Sequence, residues 1–177
     1  MRVITGSARG RRLITLDGND VRPTTDRVKE AMFSAIQFDI EGRRVLDLFA
    51  GSGQLGIEAL SRGAAEAVFT DTSQQAINVI KDNIEKCGFN NQSKVIKTDF
   101  SGYLSMTPDK FDIAFVDPPY GKGQLSKALE LLPRVMSEFG ILVCEHPVEE
   151  KLPELLDNFS LNKTYKFGKI AFSVYRR

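Results

Sequence analysis

The sequence predicts an α/β domain built on an open, doubly wound, mostly parallel sheet that ends in an antiparallel hairpin. Three observations predict it. Short apolar runs alternate with segments of helical period across the middle of the chain. A glycine-rich turn, Gly51-x-Gly53-x-x-Gly56, follows the first of these runs. After Ser160 the rhythm changes to two strand-like segments joined through Gly168.

Residues 44–49 read as a buried strand ending in the glycine turn, and residues 55–61 as the helix after it, closed by Gly63. Residues 67–71 form a second strand. Thr72 or Ser73 is the N-cap of a helix that runs to about Cys87 and is stopped by Gly88. Residues 94–97 and 111–116 are the third and fourth strands, residues 124–136 a helix, and residues 140–145 the fifth strand. Residues 160–167 and 170–175 make the closing hairpin. At the front, residues 2–5 and 12–16 are expected to pair as a small hairpin through Gly6 and Gly10. Residues 25–38 form an amphipathic helix with Val28, Met32, Ala35 and Ile36 on one face. No repeat, low-complexity tract or linker divides the chain, so a single domain is expected over residues 1–177, with 1–40 as its N-terminal extension.

With 42% hydrophobic and 27% charged residues, the chain has the composition of a soluble globular protein. No run approaches the ~18 apolar residues that span a bilayer, and Met1-Arg2 opens no signal-like apolar stretch. A cytoplasmic protein without membrane contact is expected. Cys87 and Cys144 lie in apolar segments without a CxxC partner; they read as reduced core thiols, and no metal site is expected. The net charge of +1 hides a division. Residues 1–44 hold nine Lys/Arg against six Asp/Glu, residues 45–157 ten against seventeen, and residues 158–177 five against none. If the basic ends meet in space, they make a phosphate-attracting surface beside an acidic centre; otherwise they are ordinary solvated surface.

A glycine loop after a strand and before a helix matches the dinucleotide-binding fingerprint, and Asp71, 20 residues after Gly51, falls where an acid grips ribose hydroxyls. The pattern alone does not separate a nicotinamide cofactor from S-adenosyl-L-methionine. Asp47, four residues before Gly51, helps to decide. A pyrophosphate there would meet a like charge in a partly buried cleft, whereas the sulfonium and ammonium of S-adenosylmethionine favour nearby anions. The alternative role for Asp47 is to bind a loop amide. On the first reading Asp47, Phe49, Ala50, Gly51, Ser52, Gly53, Asp71 and Thr72 line the cofactor.

Asp117-Pro118-Pro119-Tyr120-Gly121 follows the fourth strand, at the edge where open α/β sheets bind ligands. An exocyclic base amine is a poor nucleophile because its lone pair is delocalised into the ring. Two acceptors on its two hydrogens, the Asp117 carboxylate and the Pro118 carbonyl, draw that pair out of conjugation. Consecutive prolines fix φ and hold the carbonyl rigid. Tyr120 offers a stacking surface worth roughly 1–3 kcal/mol per base. The competing interpretation is a turn that merely ends a strand, which the glycine loop about 65 residues upstream makes less economical. Asp117, Pro118, Pro119 and Tyr120 are therefore the candidate catalytic residues, with Asp117 also facing the cofactor.

Four segments resemble the RsmD-type methyltransferases: Arg22-Pro23-Thr24-x-Asp26-Arg27-Val28-Lys29-Glu30-Ala31, Val45-Leu46-Asp47-Leu48-Phe49-Ala50-Gly51-Ser52-Gly53, Glu58-Ala59-Leu60-Ser61-Arg62-Gly63-Ala64 and Asp117-Pro118-Pro119-Tyr120. The resemblance runs nearly the length of the chain, and the Arg-Pro-Thr segment is its most specific part. It implies a class I methyltransferase (Rossmann-like) fold of seven strands, the seventh inserted antiparallel. It also implies adenine contacts at Asp99 and Phe100, and methylation of a guanine N2 in 16S rRNA. The partner implied is the small ribosomal subunit or an assembly intermediate, and a monomer is expected. Two positions depart from the pattern: Asp71 stands where Glu is expected, and Thr72-Ser73-Gln74-Gln75 lacks the usual basic residue.

Arg2, Arg9, Arg11 and Arg12, set among glycines, suit phosphate contacts that position a substrate without reading its bases, or else form a solvated basic hairpin. Arg22, Thr24 and Arg27 sit where the chain enters the first helix and are candidates to close over cofactor or base, the alternative being simple helix capping by Thr24 or Thr25. His146, the sole histidine, precedes Pro147 and reads as a loop residue rather than a general base. The competing activities are DNA adenine-N6 methylation, a non-catalytic RNA-binding assembly factor, and protein glutamine methylation, for which Asn rather than Asp117 is expected.

Overall fold

The computed structural model describes residues 1–16 and 25–177. Helix α1 (Asp26–Ala35) is capped by the Thr25 hydroxyl, which accepts from the Val28 amide. Strand β1 (Arg44–Asp47) leads through the glycine turn into α2 (Gln54–Ser61). The alternation continues through β2 (Glu66–Asp71), α3 (Gln74–Cys87), β3 (Ser93–Lys97), α4 (Phe100–Met106), β4 (Phe111–Val116), α5 (Gln124–Leu131) and β5 (Met136–Pro147). A two-residue β6 (Leu155–Leu156) precedes the long ribbon of β7 (Phe159–Phe167) and β8 (Ile170–Arg176).

These strands form one sheet in the order β3-β2-β1-β4-β5-β8-β7-β6. Strands β1 to β5 run parallel, and β8 inserts antiparallel between β5 and β7. The doubly wound α/β architecture is the expected one, with eight strands instead of seven. The additional strand is β6, whose two residues pair with Phe159 and Ser160 and are too few to leave a periodicity in the sequence. Apolar residues on one sheet face pack with α1, α2 and α3, through Phe33, Ile57 and Phe115 among others. Those on the other face pack with α4 and α5, through Leu104, Leu129 and Phe111.

Of the two expected caps for α3, Ser73 is the one that serves, accepting from the Ala76 amide, and Gly88 ends that helix as expected, at φ 80°. Other boundaries differ from expectation. The helix expected over 124–136 stops at Leu131, because Pro133 lies in a tighter 3₁₀ turn and Met136 already pairs with Phe111 on β4. Helix α4 was not expected; the Asp99 carboxylate caps it by accepting from the Gly102 amide. His146 lies within β5 and is buried, so it is not a loop residue. Both cysteines are free and buried, and burial pushes their thiol pKa values up.

The front hairpin shrinks to one antiparallel bridge, Arg2 to Arg12. The reason is that side chains of α2 and α3 take the amides a strand partner would need. Glu58, wholly buried on α2, accepts from the Ile4 amide at 2.8 Å, the Thr5 amide at 3.0 Å and the Arg62 guanidinium at 2.8 Å. Lys29 of α1, equally buried, stands 3.6 Å from the same carboxylate and donates to the Arg2 carbonyl. The Ser61 hydroxyl accepts from the Ala8 amide and donates to the Thr5 carbonyl. Gly6 (φ +87°) passes so close that a Cβ would lie 1.7 Å from the Ser61 carbonyl oxygen. Desolvation lowers the Lys29 pKa, and the Glu58 charge opposes that shift.

Removing one partner of such a buried pair leaves an uncompensated charge. Glu58→Ala is expected to cost about 3–5 kcal/mol in urea unfolding. The double change Lys29→Met/Glu58→Gln should cost clearly less than the two single changes added together. Additive losses would show that the pair is not coupled.

Candidate active site

The carboxyl ends of β1, β2, β4 and β5 share one edge of the sheet, and the candidate residues gather there. The chain leaves β1 through Gly51 (φ +55°) and Gly53 (φ +79°), left-handed conformations that favour glycine. Asp71, at the end of β2, accepts from the Gly51 amide at 3.0 Å and from the Ser73 amide at 2.9 Å. It thus braces the loop against the start of α3. A carboxylate offers about four lone-pair sites, so both oxygens keep capacity for further donors. The third glycine serves packing: a Cβ at Gly56 would meet Phe69 at 2.3 Å, while Gly51 faces open space.

Asp47 lies under this loop, 2% exposed, and accepts from the Gly56 amide at 2.9 Å. Gly53, the N-cap of α2, has no side chain to satisfy that turn, and Asp47 does it from below. The structure therefore shows the amide-binding role for Asp47, and burial leaves its field, more than direct contact, to act on a ligand. Desolvation pushes its pKa up to about 7, the Gly56 amide pulls it down, and the nearby Asp71 charge raises it again. Asn83, wholly buried on α3, donates to the carbonyls of Ser52 and Ile14, both at 2.9 Å, and accepts from the Ile14 amide at 2.7 Å. Gln54 Oε1 is buried at the mouth of α2 and has no donor among the described residues.

One strand over from β2, the half-buried rings of Phe49 and Phe100 approach to 5.1 Å at 45°. Asp99 beside them is exposed, and its bond from the Gly102 amide lowers its pKa. On the other side of β1, β4 ends at Val116, and the proline pair that follows has no amide to donate to a ladder. Asp117 is half-buried, Pro118 buried, and Pro119 exposed. Tyr120 is 42% exposed, and its hydroxyl donates to Glu145 Oε1 at 2.7 Å. Glu145, near the end of β5, is 5% exposed. It is the site residue the sequence reading missed. Its signal was an acid closing an otherwise apolar strand.

His146 points elsewhere. Its ring nitrogens lie 2.8 Å from the Pro147 carbonyl oxygen and 2.9 Å from Ser173 Oγ, so the imidazole is held within the sheet. The basic ends of the chain do meet, around α1: Arg2 pairs with Asp26 at 3.1 Å, and Arg27 lies over the Phe167 ring at 5.9 Å. Arg12 is exposed across the bridge from Arg2. Arg9 and Arg11 are carried to the opposite edge, where Ser7 bonds the last residue of α2 and Arg11 donates to the Lys86 carbonyl near the end of α3. Arg22 and Thr24 lie outside the described residues.

A parallel sheet with an inserted antiparallel strand, a braced glycine loop on β1 and a proline pair closing β4 define a class I methyltransferase. A family model described as "Conserved hypothetical protein 95" matches residues 1–176, and the chain belongs to that family. It is similar to ribosomal RNA small subunit methyltransferase D of Escherichia coli strain K12, 34% identical over 179 residues that span 100% of this chain and 90% of that protein. The protein of the same name from Haemophilus influenzae is 38% identical over 181 residues, covering 99% and 93%. The solved structure of the Escherichia coli protein yhhF superposes with a TM-score of 0.90 at 34% identity, covering 100% of this chain and 97% of that one. The RsmD-type resemblance of the motifs is borne out.

Asp47 gives the site a pH signature. Its carboxyl holds a proton to about pH 7 when folded but loses it near the ordinary 3.8 when unfolded. Between those values the folded state binds more protons, so stability falls as pH rises, by at most about 4 kcal/mol in total. Urea unfolding from pH 4 to 8 should show this decline in the wild type and a flatter curve in Asp47→Asn. Parallel curves would remove Asp47 as the cause.

Proposed function

We propose that the protein transfers a methyl group from S-adenosyl-L-methionine to the exocyclic N2 amine of a guanine in 16S rRNA of the small ribosomal subunit. The observation that carries this is the juxtaposition at one sheet edge of Asp117 and Pro118, ending β4, with a tyrosine ring braced by Glu145. The family membership and the small-subunit rRNA named in its relatives support the substrate class.

The residues present fit the cofactor. An open loop at Gly51, the Asp71 carboxylate with the buried Asp47 behind the loop, and Gln54 Oε1, which has no donor among the described residues, suit a ligand bearing an ammonium and a sulfonium. Asp71 has lone pairs left for ribose hydroxyls, and the loop residues Phe49, Ala50, Ser52 and Gly53 with Thr72 line the path between. Phe49 and Phe100, with Asp99 alongside, form an apolar flank for adenine. When bound, S-adenosylmethionine supplies an electrophilic methyl. The protein's own part is to hold the nucleophile. Tyr120 stacks the base; Asp117 and the Pro118 carbonyl accept hydrogen bonds from the two amine N–H groups; and Pro119 keeps that carbonyl fixed. With the cofactor bound, the freed lone pair would take the methyl as its bond to sulfur breaks, and the surplus amine proton, hydrogen-bonded to Asp117, would pass to solvent. The guanine must be unpaired or flipped out, at a cost of a few kcal/mol when it is paired.

Arg2, Arg12 and Arg27 are the arginines that suit RNA contact beside the site, with Arg9 and Arg11 available to a substrate large enough to reach the far edge. No helix among the described residues is long and apolar enough to cross a membrane, and the reading implies a cytoplasmic enzyme working where ribosomes are assembled.

The test is transfer of labelled methyl to unmodified 16S rRNA, to small subunits lacking the mark, to duplex DNA and to protein extract. Label in DNA or protein alone would overturn the assignment. Asp117→Ala should lower transfer by a thousandfold or more while cofactor affinity stays within about threefold. Asp71→Ala should mainly weaken cofactor binding. Glu145→Ala should lower transfer roughly tenfold by loosening the stacking ring, and Glu145→Gln, which keeps an acceptor, should restore most of it. No rescue by Gln would show that Glu145 acts on something other than Tyr120.

A further inference from the structure

We propose that the turn joining β7 to β8, with Lys166 and Lys169 beside Arg27 of α1, grips the phosphates of an unpaired RNA strand flanking the target base. The proposal rests on the RNA reading above and assigns its docking surface.

The sheet register locates this turn. Val116, the last residue of β4, pairs with Cys144, Cys144 with Ser173, and Ser173 with Thr164. The ladder continues outward through Glu145, Phe172 and Tyr165, then His146, Ala171 and Lys166, and ends with Pro147, Ile170 and Phe167. The turn therefore projects past the level of Asp117 on the same edge. It is displaced sideways by three inter-strand spacings, roughly 14 Å. A strand of RNA with its base on Tyr120 can reach that far.

The turn is also held in place. The Lys169 carbonyl accepts from the Val148 amide at 3.0 Å, fastening it to the end of β5. Behind it runs a ladder of rings and cations. Lys163 lies 4.9 Å over Tyr165, Tyr165 stacks on Phe172 at 4.6 Å, Phe167 stacks on Phe172 at 5.9 Å, and Arg27 covers Phe167 at 5.9 Å. The half-buried Phe167 ring ties the ribbon to α1 through Arg27, so Arg27 and the turn form one surface.

Charge completes the argument. Lys163, Lys166, Lys169 and Arg27 are exposed, and none enters an ion pair of the described residues. Residues 158–177 contain no Asp or Glu, whereas the site itself holds Asp47, Asp71, Asp99, Asp117 and Glu145. A polyanion approaching that acidic centre needs cations at its rim. Unpaired lysines supply them by releasing counterions from the strand.

Two double variants with the same change in charge separate this surface from net charge alone. Lys166→Glu/Lys169→Glu alters the turn, and Lys81→Glu/Lys127→Glu alters exposed lysines of α3 and α5. Binding to fluorescein-labelled, unmodified 16S rRNA transcript is measured across a salt series, beside S-adenosylmethionine affinity as a check of the fold. The turn variant should bind RNA at least tenfold more weakly, with a salt slope reduced by about 1.4 for two lost contacts to single-stranded phosphates. The control should stay within about twofold, and both should keep cofactor affinity. Should the turn variant fail to bind cofactor, Lys166→Gln/Lys169→Gln carries the same comparison against Lys81→Gln/Lys127→Gln. Equal losses in turn and control variants would overturn the proposal. So would a loss seen only with assembled subunits and not with bare RNA, which would make the turn a protein contact. Failure of the wild type to transfer methyl to rRNA or subunits would instead bring down the RNA reading itself, and this proposal with it.

Discussion

The buried carboxylate of Glu58 is the constraint on which the rest of the assembly depends. It draws together three parts of the chain that share no sequence neighbourhood: the amides of Ile4 and Thr5, Lys29 of α1, and Arg62 at the end of its own helix. Arg62 in turn covers the Phe33 ring at 4.7 Å, so the charge network continues into the apolar core. Burying these charges is tolerable only because each is met by another. Once they are met, α1, α2 and the N-terminal segment have one relative position, and the glycine loop that opens α2 inherits it.

At the opposite end of α2 the same logic appears with backbone amides as the partners. Asp47 and Asp71 hold the glycine loop from below and from the side, and Asn83 ties its Ser52 carbonyl to Ile14. The residues expected to touch a cofactor are thus first of all the ones that shape its cradle. A preorganised loop loses little freedom when it receives a ligand, and this lowers the cost of binding. The acid groups gathered at the site suit the proposed ligands, which carry an ammonium, a sulfonium and an amine to be activated. The positive charge that a nucleic acid needs is displaced to the flanks.

Most of the architecture was legible because its signals are local. Strand periodicity, the glycine turn and the change of rhythm after Ser160 gave the sheet and its antiparallel end, and Asp117 to Tyr120 announced themselves by residue type. What escaped was whatever depends on distant partners. Glu145 is 25 residues from Tyr120, and only the pairing of β4 with β5 brings them together. β6 exists because Phe159 offers it an edge. The front segment looked like a hairpin because it alternates and has glycines where a turn belongs. The amides of Ile4, Thr5 and Ala8, however, are answered by Glu58 and Ser61 more than 50 positions away. Arg9 and Arg11 were read as a cluster with Arg2 on that basis, and docking separates them.

The docking of residues 1–14 has a consequence for the order in which the molecule assembles. The amides of Ile4, Thr5, Ala8 and Ile14 are answered by Glu58, Ser61 and Asn83, contacts that span 53 to 69 positions. Contacts of such long sequence separation form late, after the loops between them have been closed. These residues therefore wait, with their amides solvated, until α2 and α3 exist to receive them. The glycine loop shares Asn83 with them, so one side chain joins the docking of that segment to the Ser52 carbonyl of the loop. Assembly and competence of the site then coincide: a chain that has not finished folding has no finished cradle to load.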